Sequence, residues 1–176
     1  MSTWKQGKNR FLSRIRGELC RICLRCVIIG AVIVLVVGVL SALAAGPTSA
    51  FYELKKPLGT PPALVFPIAW TILYVLIGGA AGAVACIGDR AAESDKYKGL
   101  LFFIIQMIFN FIWSPLFFGA GAYFAAFCAI VMMIILTIFT IFAFWRVLRL
   151  AGAAMIVYLL WLFFAAYLNL GIIVLN

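Results

Sequence analysis

QMIFNFIWSP, residues 106 to 115, lies in the middle of an apolar run that extends from Gly99 to Phe118. About 20 apolar residues is the length of a helical bilayer crossing, so the run reads as a transmembrane helix. Yet within ten positions it carries Gln106, Asn110, Trp113, Ser114 and Pro115. Polar side chains are expensive in hydrocarbon and face a bundle interior or a cavity. Gln106, Asn110 and Trp113 are four and three apart, which places them on one helical face. Pro115 follows near the end of the run, where it can bend the helix.

Four further runs flank this one: Cys26 to Ala45, Ala63 to Gly88, Tyr123 to Trp145 and Ala151 to Leu175. The second is entered through Thr60-Pro61-Pro62, and proline suits the first turn of a helix. The sequence therefore predicts an all-α membrane protein with a bundle of five transmembrane helices. Residues 1–25 form a basic N-terminal extension, and 26–176 the transmembrane domain. Lys and Arg set the orientation. Seven precede the first span, three lie between the second and third, and two follow the fourth, against only Lys55 and Lys56 on the opposite side. This predicts the N-terminus inside and the C-terminus outside. Val27 to Leu40 followed by Ala42-Leu43-Ala44 also has the form of a signal-peptide core and cleavage site, on an unusually long basic lead.

Composition narrows the chemistry. The chain is 67% hydrophobic with no histidine, which excludes histidine triads, histidine metal clusters and histidine proton relays. The five acids, Glu18, Glu53, Asp89, Glu93 and Asp95, all fall outside the apolar runs. A carboxylate proton pump or a paired-carboxylate hydrolase thus has no material in the membrane. The net charge of +9 reads as a topology signal with some attraction to anionic lipid, and no nucleic-acid surface is expected. Cys20, Cys23 and Cys26, three apart, suggest a thiolate site. A fourth ligand would have to be Cys86 or Cys128, inside predicted spans, so no metal is expected; apolar filler or acylation of a juxtamembrane Cys is the expected role. Gly78 and Gly82 form a small-residue stripe suited to close helix packing, within the bundle or between chains.

Two other spans carry polar-aromatic faces. Trp70 and Tyr74 are four apart; Tyr158, Trp161, Ala165 and Asn169 follow at steps of three and four, with Leu168 beside them. Amides at such positions also hold bundles together. The segment Gly46 to Pro62 is the long outer loop, and its Phe51 and Tyr52 are placed to fold over the helix ends. An aromatic-walled cavity with few charges suits a flat, apolar ligand oriented by amides.

Three stretches carry a family resemblance: FYELKKPLGTPPALVFPIAWTILY from Phe51, QMIFNFIWSPLFFG from Gln106 and YLLWLFFAAYLNLGIIVLN from Tyr158. They resemble the tryptophan-rich sensory protein/translocator protein (TspO) family, over about Val27 to Asn176. The resemblance implies a five-helix bundle, usually a homodimer, embedded in membrane lipid. Its cavity would bind porphyrins and, in some members, sterols or benzodiazepine-type drugs, without a resident cofactor. Carried over, the pocket uses Tyr52, Trp70, Tyr74, Asn110, Trp113, Trp161, Ala165 and Leu168; the helix-face reading adds Gln106. Some members degrade protoporphyrin oxidatively, which would make Trp70 and Trp161 catalytic. The chain departs from the family pattern at Gly59 and Leu64, where loop tryptophans are common, at Val157, and at Leu170, where the sterol motif expects Tyr. The expected function is binding of tetrapyrroles for sensing, transport or clearance; the alternatives are light-dependent porphyrin breakdown and transport of a lipophilic solute.

Overall fold

The computed structural model describes residues 22–46 and 52–176, so the basic lead and Phe51 lie largely or wholly outside the described residues. Five helices are long and apolar enough to cross a membrane. They are α1 (Leu24–Ala45), α2 (Val65–Ala85), α3 (Glu93–Ser114, continuing as a π-helical turn over Pro115–Gly119), α4 (Tyr123–Val147) and α5 (Arg149–Leu175). No strand occurs among the described residues. Each span is apolar around most of its circumference, as expected where lipid covers the outside and helices the inside.

Several boundaries differ from the sequence expectation, two of them for plain physical reasons. Helix α3 begins at Glu93 instead of Gly99. The polar first turns extend the helix beyond the apolar run, and Glu93 and Asp95 sit where the helix dipole favours acids. The α4–α5 connection shrinks to Leu148, whose extended backbone (φ −150°, ψ 109°) lets α5 start at Arg149.

Around the bundle the order is α1, α2, α5, α4, α3 and back to α1, with α2 also touching α3 across the interior. Phe103, Met107, Ile130, Met133, Phe144, Met155, Tyr158 and Leu162 fill the centre. Helix α1 is the most lipid-exposed and leans chiefly on α2. The Gly78/Gly82 stripe explains that contact: a Cβ at Gly78 would lie 2.5 Å from the Gly30 carbonyl oxygen, and one at Gly82 would overlap that of Cys26. The stripe thus packs helices within one chain.

Beyond it, Cys26 and Cys86 form a disulfide with Cα atoms 6.4 Å apart. This corrects the reading of Cys26 as filler or an acylation site. Helix α2 ends at Ala85, so Cys86 is its C-cap instead of an interior residue, and the cap faces the first turn of α1.

At the other end of α1, Ser41 donates a hydrogen bond of 2.7 Å to the Phe111 carbonyl of α3. That carbonyl is four residues before Pro115, which has no N–H to offer it. Ser41 therefore satisfies the acceptor that the proline leaves open. The helix widens next, with Ala120 N–H bonding Pro115 O at 2.9 Å, a π-type bond of the kind often found at functional sites.

Candidate functional site

Trp70 is the hub of the polar-aromatic faces. Its ring centroid lies 5.3 Å from Tyr74, 5.9 Å from Trp113, 6.2 Å from Trp161 and 6.4 Å from Tyr158. The last two contacts are edge-to-face, a favoured geometry for ring quadrupoles. Residues from α2, α3 and α5 thus converge on one indole, as their separate helical spacings led us to expect.

Beneath the rings lies a polar chain. Tyr74 donates its hydroxyl to Asn110 Oδ1 at 2.7 Å; Asn110 Nδ2 donates to the Tyr158 hydroxyl at 2.9 Å. Tyr158 in turn points its hydroxyl at Met133 Sδ, 3.8 Å away. Asn110 and Tyr158 are both fully or almost fully buried. The Tyr74 ring occupies the space above Gly38 of α1, where a Cβ would lie 2.9 Å from its Cζ and closer to other ring atoms. Gly38 therefore seats the ring that Asn110 holds.

Two cavities flank the indoles. The larger, about 510 Å³, lies between α1, α2, the end of α3 with its π-helical turn and the α1–α2 loop. Gly38, Ser41, Ala42 and Ala45 form its α1 wall, with Tyr52 and Leu64 at the loop and Trp70, Tyr74, Trp113 and Phe118 opposite. This volume falls within the range of small-molecule sites. The smaller, about 30 Å³, lies between α2, α3 and α5 and is lined by Trp161, Ala165, Leu168 and Asn169 among others. It has room for a water molecule or two at most. Phe66, Trp70, Trp113 and Phe118 line both cavities and form the partition.

The residues singled out from the sequence thus fall into three places. Tyr52 and Tyr74 face the larger cavity; Trp161, Ala165 and Leu168 face the smaller; Trp70 and Trp113 face both. Asn110 lines neither and braces Tyr74 from below. Gln106 does not join the cavity wall. It is wholly buried one turn deeper and accepts a 3.2 Å hydrogen bond from Thr137 of α4, with its Nε2 unpartnered. Trp113 Nε1 donates to Asn169 Oδ1 at 3.4 Å, and Asn169 Nδ2 to the Tyr123 carbonyl. The indole Nε1 of Trp161 is buried without a hydrogen-bond partner.

The α1 wall was missed from the sequence. Its signal is the small residues Gly38, Ser41, Ala42 and Ala45, spaced three, one and three apart on one face of an otherwise bulky span. Phe66 and Phe118, both in the partition, were also missed.

The loop is fastened to α5. Asn176 Oδ1 accepts from Lys55 N–H at 3.0 Å, and its Nδ2 donates to the Lys55 carbonyl at 3.1 Å. Tyr167 donates to the Leu58 carbonyl at 2.9 Å. Gly59 has φ +79° and follows Leu58 in a turn closed by Thr60 N–H to Pro57 O at 3.3 Å. A positive φ at the third position of such a turn favours glycine, so a stacking tryptophan there would be strained.

Comparison with known proteins matches the TspO/MBR family over residues 29–175. The chain is 36% identical over 131 residues to the tryptophan-rich protein TspO of Chlorobaculum tepidum, covering 74% of this chain and 82% of that one. It is 32% identical over 130 residues to the translocator protein homolog of Schizosaccharomyces pombe, covering 74% and 79%. It is 34% identical over 130 residues to a tryptophan-rich sensory protein of Cereibacter sphaeroides, covering 74% and 78%.

Proposed function

The chain belongs to the TspO/MBR family and is an integral, multi-pass membrane protein, and from that premise we propose that it binds a flat, apolar tetrapyrrole in the larger cavity, for sensing, transport or clearance. The observation that carries this reading is Trp70, exposed to that cavity and backed by Trp113, Tyr74, Tyr158 and Trp161. A macrocycle laid against this wall exchanges lipid contact for ring stacking, worth about 0.5–1.5 kcal/mol per aromatic pair beyond area burial. Among the described residues no ionisable group lines either cavity apart from tyrosine hydroxyls, so ring shape and stacking supply the recognition. The small α1 wall keeps the slot wide enough for a planar guest.

The test is titration of the purified protein in detergent with protoporphyrin IX, followed by tryptophan fluorescence, beside Trp70→Phe, Trp161→Phe and the double variant. Saturable quenching that weakens about tenfold or more in Trp70→Phe, and less in Trp161→Phe, is expected from the partition. Absence of saturable quenching in a folded protein would overturn the assignment.

A second reading follows from the 6.2 Å contact between Trp70 and Trp161. Two indoles in edge contact offer a photoexcited macrocycle a path for electron exchange, and dioxygen would be the terminal oxidant of ring opening. Light-dependent product formed by the protein and lost in Trp161→Phe would support this reading; bleaching at the rate of free porphyrin would reject it.

A further inference from the structure

Cys23, left free and exposed, is the N-cap of α1, with extended backbone (φ −82°, ψ 108°) and no side-chain capping bond. Leu24 opens the helix, so Cys26 stands at its third position. An N-cap side chain and the N3 residue meet across the first helical turn, the geometry by which caps reach the N3 amide. Cys23 and Cys26 are therefore paired by local geometry, while Cys26 is bonded to Cys86 at the end of α2. Three sulfurs share one site at the polar end of the bundle, and Arg25 lies between two of them.

We propose that Cys23, Cys26 and Cys86 form a thiol–disulfide exchange site in which Cys26 is the shared partner of two alternative linkages. The Cys23 thiol gives its proton to solvent, and the thiolate forms a bond to Cys26 Sγ. The Cys26–Cys86 bond breaks, and Cys86 leaves as a thiolate that takes up a proton. One disulfide and one thiol are present before and after, so the step needs no oxidant or reductant. The resulting Cys23–Cys26 linkage sits in an exposed first turn and is open to a second attack. There a small thiol such as glutathione, or a protein dithiol, reduces it to two thiols and is itself oxidised to a disulfide. Exchange of this kind depends on access and on thiolate fraction. Cys23 has the access, whereas Cys26 is partly covered by α2.

The site bears on the rest of the molecule through α1. The Cys26–Cys86 bond is the one covalent link between α1 and α2 among the described residues besides the chain itself. Helix α1 also supplies the small-residue wall of the larger cavity. Moving the linkage from Cys26–Cys86 to Cys23–Cys26 frees the α1–α2 crossing at one end and leaves packing and the Ser41–Phe111 hydrogen bond to hold the wall at the other.

The experiment uses the full chain carrying Cys20→Ser, purified in detergent without reductant and exposed to reduced glutathione at neutral pH. Samples are quenched with acid over time, alkylated and digested with trypsin, which cuts after Arg21 and Arg25 and so separates Cys23 from Cys26. The expected result is a linked peptide joining Cys23 to Cys26 that rises as Cys86 becomes alkylated and then falls as Cys23 and Cys26 become alkylated. In Cys23→Ala and in Cys23→Ser alike, opening of Cys26–Cys86 should slow about tenfold or more. The two replacements differ in capping strength, so a shared slowing reports the lost thiol and not a changed helix end. The proposal is overturned if the purified protein holds no Cys26–Cys86 linkage, if no Cys23–Cys26 peptide forms at any time, or if opening is as fast without Cys23.

Discussion

Asn110 shows most plainly why a single amide sits in this bundle. It accepts from Tyr74 and donates to Tyr158, so one side chain satisfies two buried hydroxyls from two other helices. Replacing it with Leu keeps the volume but leaves both hydroxyls short of a partner. An unsatisfied buried polar group costs about 1–3 kcal/mol, although polar contacts between membrane helices average only about 0.6 kcal/mol. We expect Asn110→Leu to lower unfolding stability in detergent by about 1–3 kcal/mol, and Tyr158→Phe by less. Ligand affinity should fall in Asn110→Leu as well, since Tyr74 loses the bond that orients its ring toward the cavity. An unchanged unfolding midpoint would show that the hydroxyls find other partners. The helical spacing of Asn110 and Trp113 was legible in the sequence, but not the division of labour between them. Spacing gives a face, and only the packing of α2 and α5 decides that Trp113 meets the cavity while Asn110 supports it. Gln106 shares that nominal face, yet lies one turn deeper, where α4 and Thr137 cover it.

At the scale of elements, α1 is placed by three different devices. These are the glycine contact with α2, the disulfide at one end and the Ser41 bond to α3 at the other. Five spans were legible because about 20 apolar residues have few other uses. What α1 contributes was not, because a disulfide partner and a carbonyl freed by proline exist only in three dimensions. The Ser41 argument makes a coupled prediction. Ser41→Ala strands the Phe111 carbonyl, and Pro115→Ala restores an N–H to meet it within α3. In a double-mutant cycle, Ser41→Ala should cost about 1 kcal/mol in the wild-type background and close to nothing beside Pro115→Ala. Equal costs in both backgrounds would mean that Ser41 acts through something other than that carbonyl. The glycine stripe makes a second prediction. Gly82→Ala places a methyl against the Cys26 backbone, and overpacking of this kind costs about 1–3 kcal/mol. The loss should appear as lower unfolding stability at unchanged oligomeric state, since Gly82 packs inside one chain. A change of oligomeric state with stability intact would place a second copy on this stripe instead.

The whole molecule divides into a fastened end and an open one. At the Cys26–Cys86 end, α1 and α2 are in backbone contact. At the other they part around a cavity of about 510 Å³, with the α1–α2 loop above it. That loop contributes Tyr52 and Leu64 to the cavity, yet it is tied to α5, on the far side of the indole partition, by Asn176 and Tyr167. The fastening bonds are exposed, so breaking them costs little stability. Their effect should lie in kinetics, because a loop over a site sets how fast a ligand enters and leaves. We expect the double variant Asn176→Ala/Tyr167→Phe to raise both association and dissociation rates of protoporphyrin IX several-fold, with the unfolding midpoint little changed. Stopped-flow quenching of tryptophan fluorescence measures both rates. Rates equal to wild type would mean that the ligand passes sideways between α1 and α2 and not under the loop. In that case added bulk on the α1 wall, as in Ala42→Leu, should slow entry where loosening the loop changes nothing, so the two variants together identify the route.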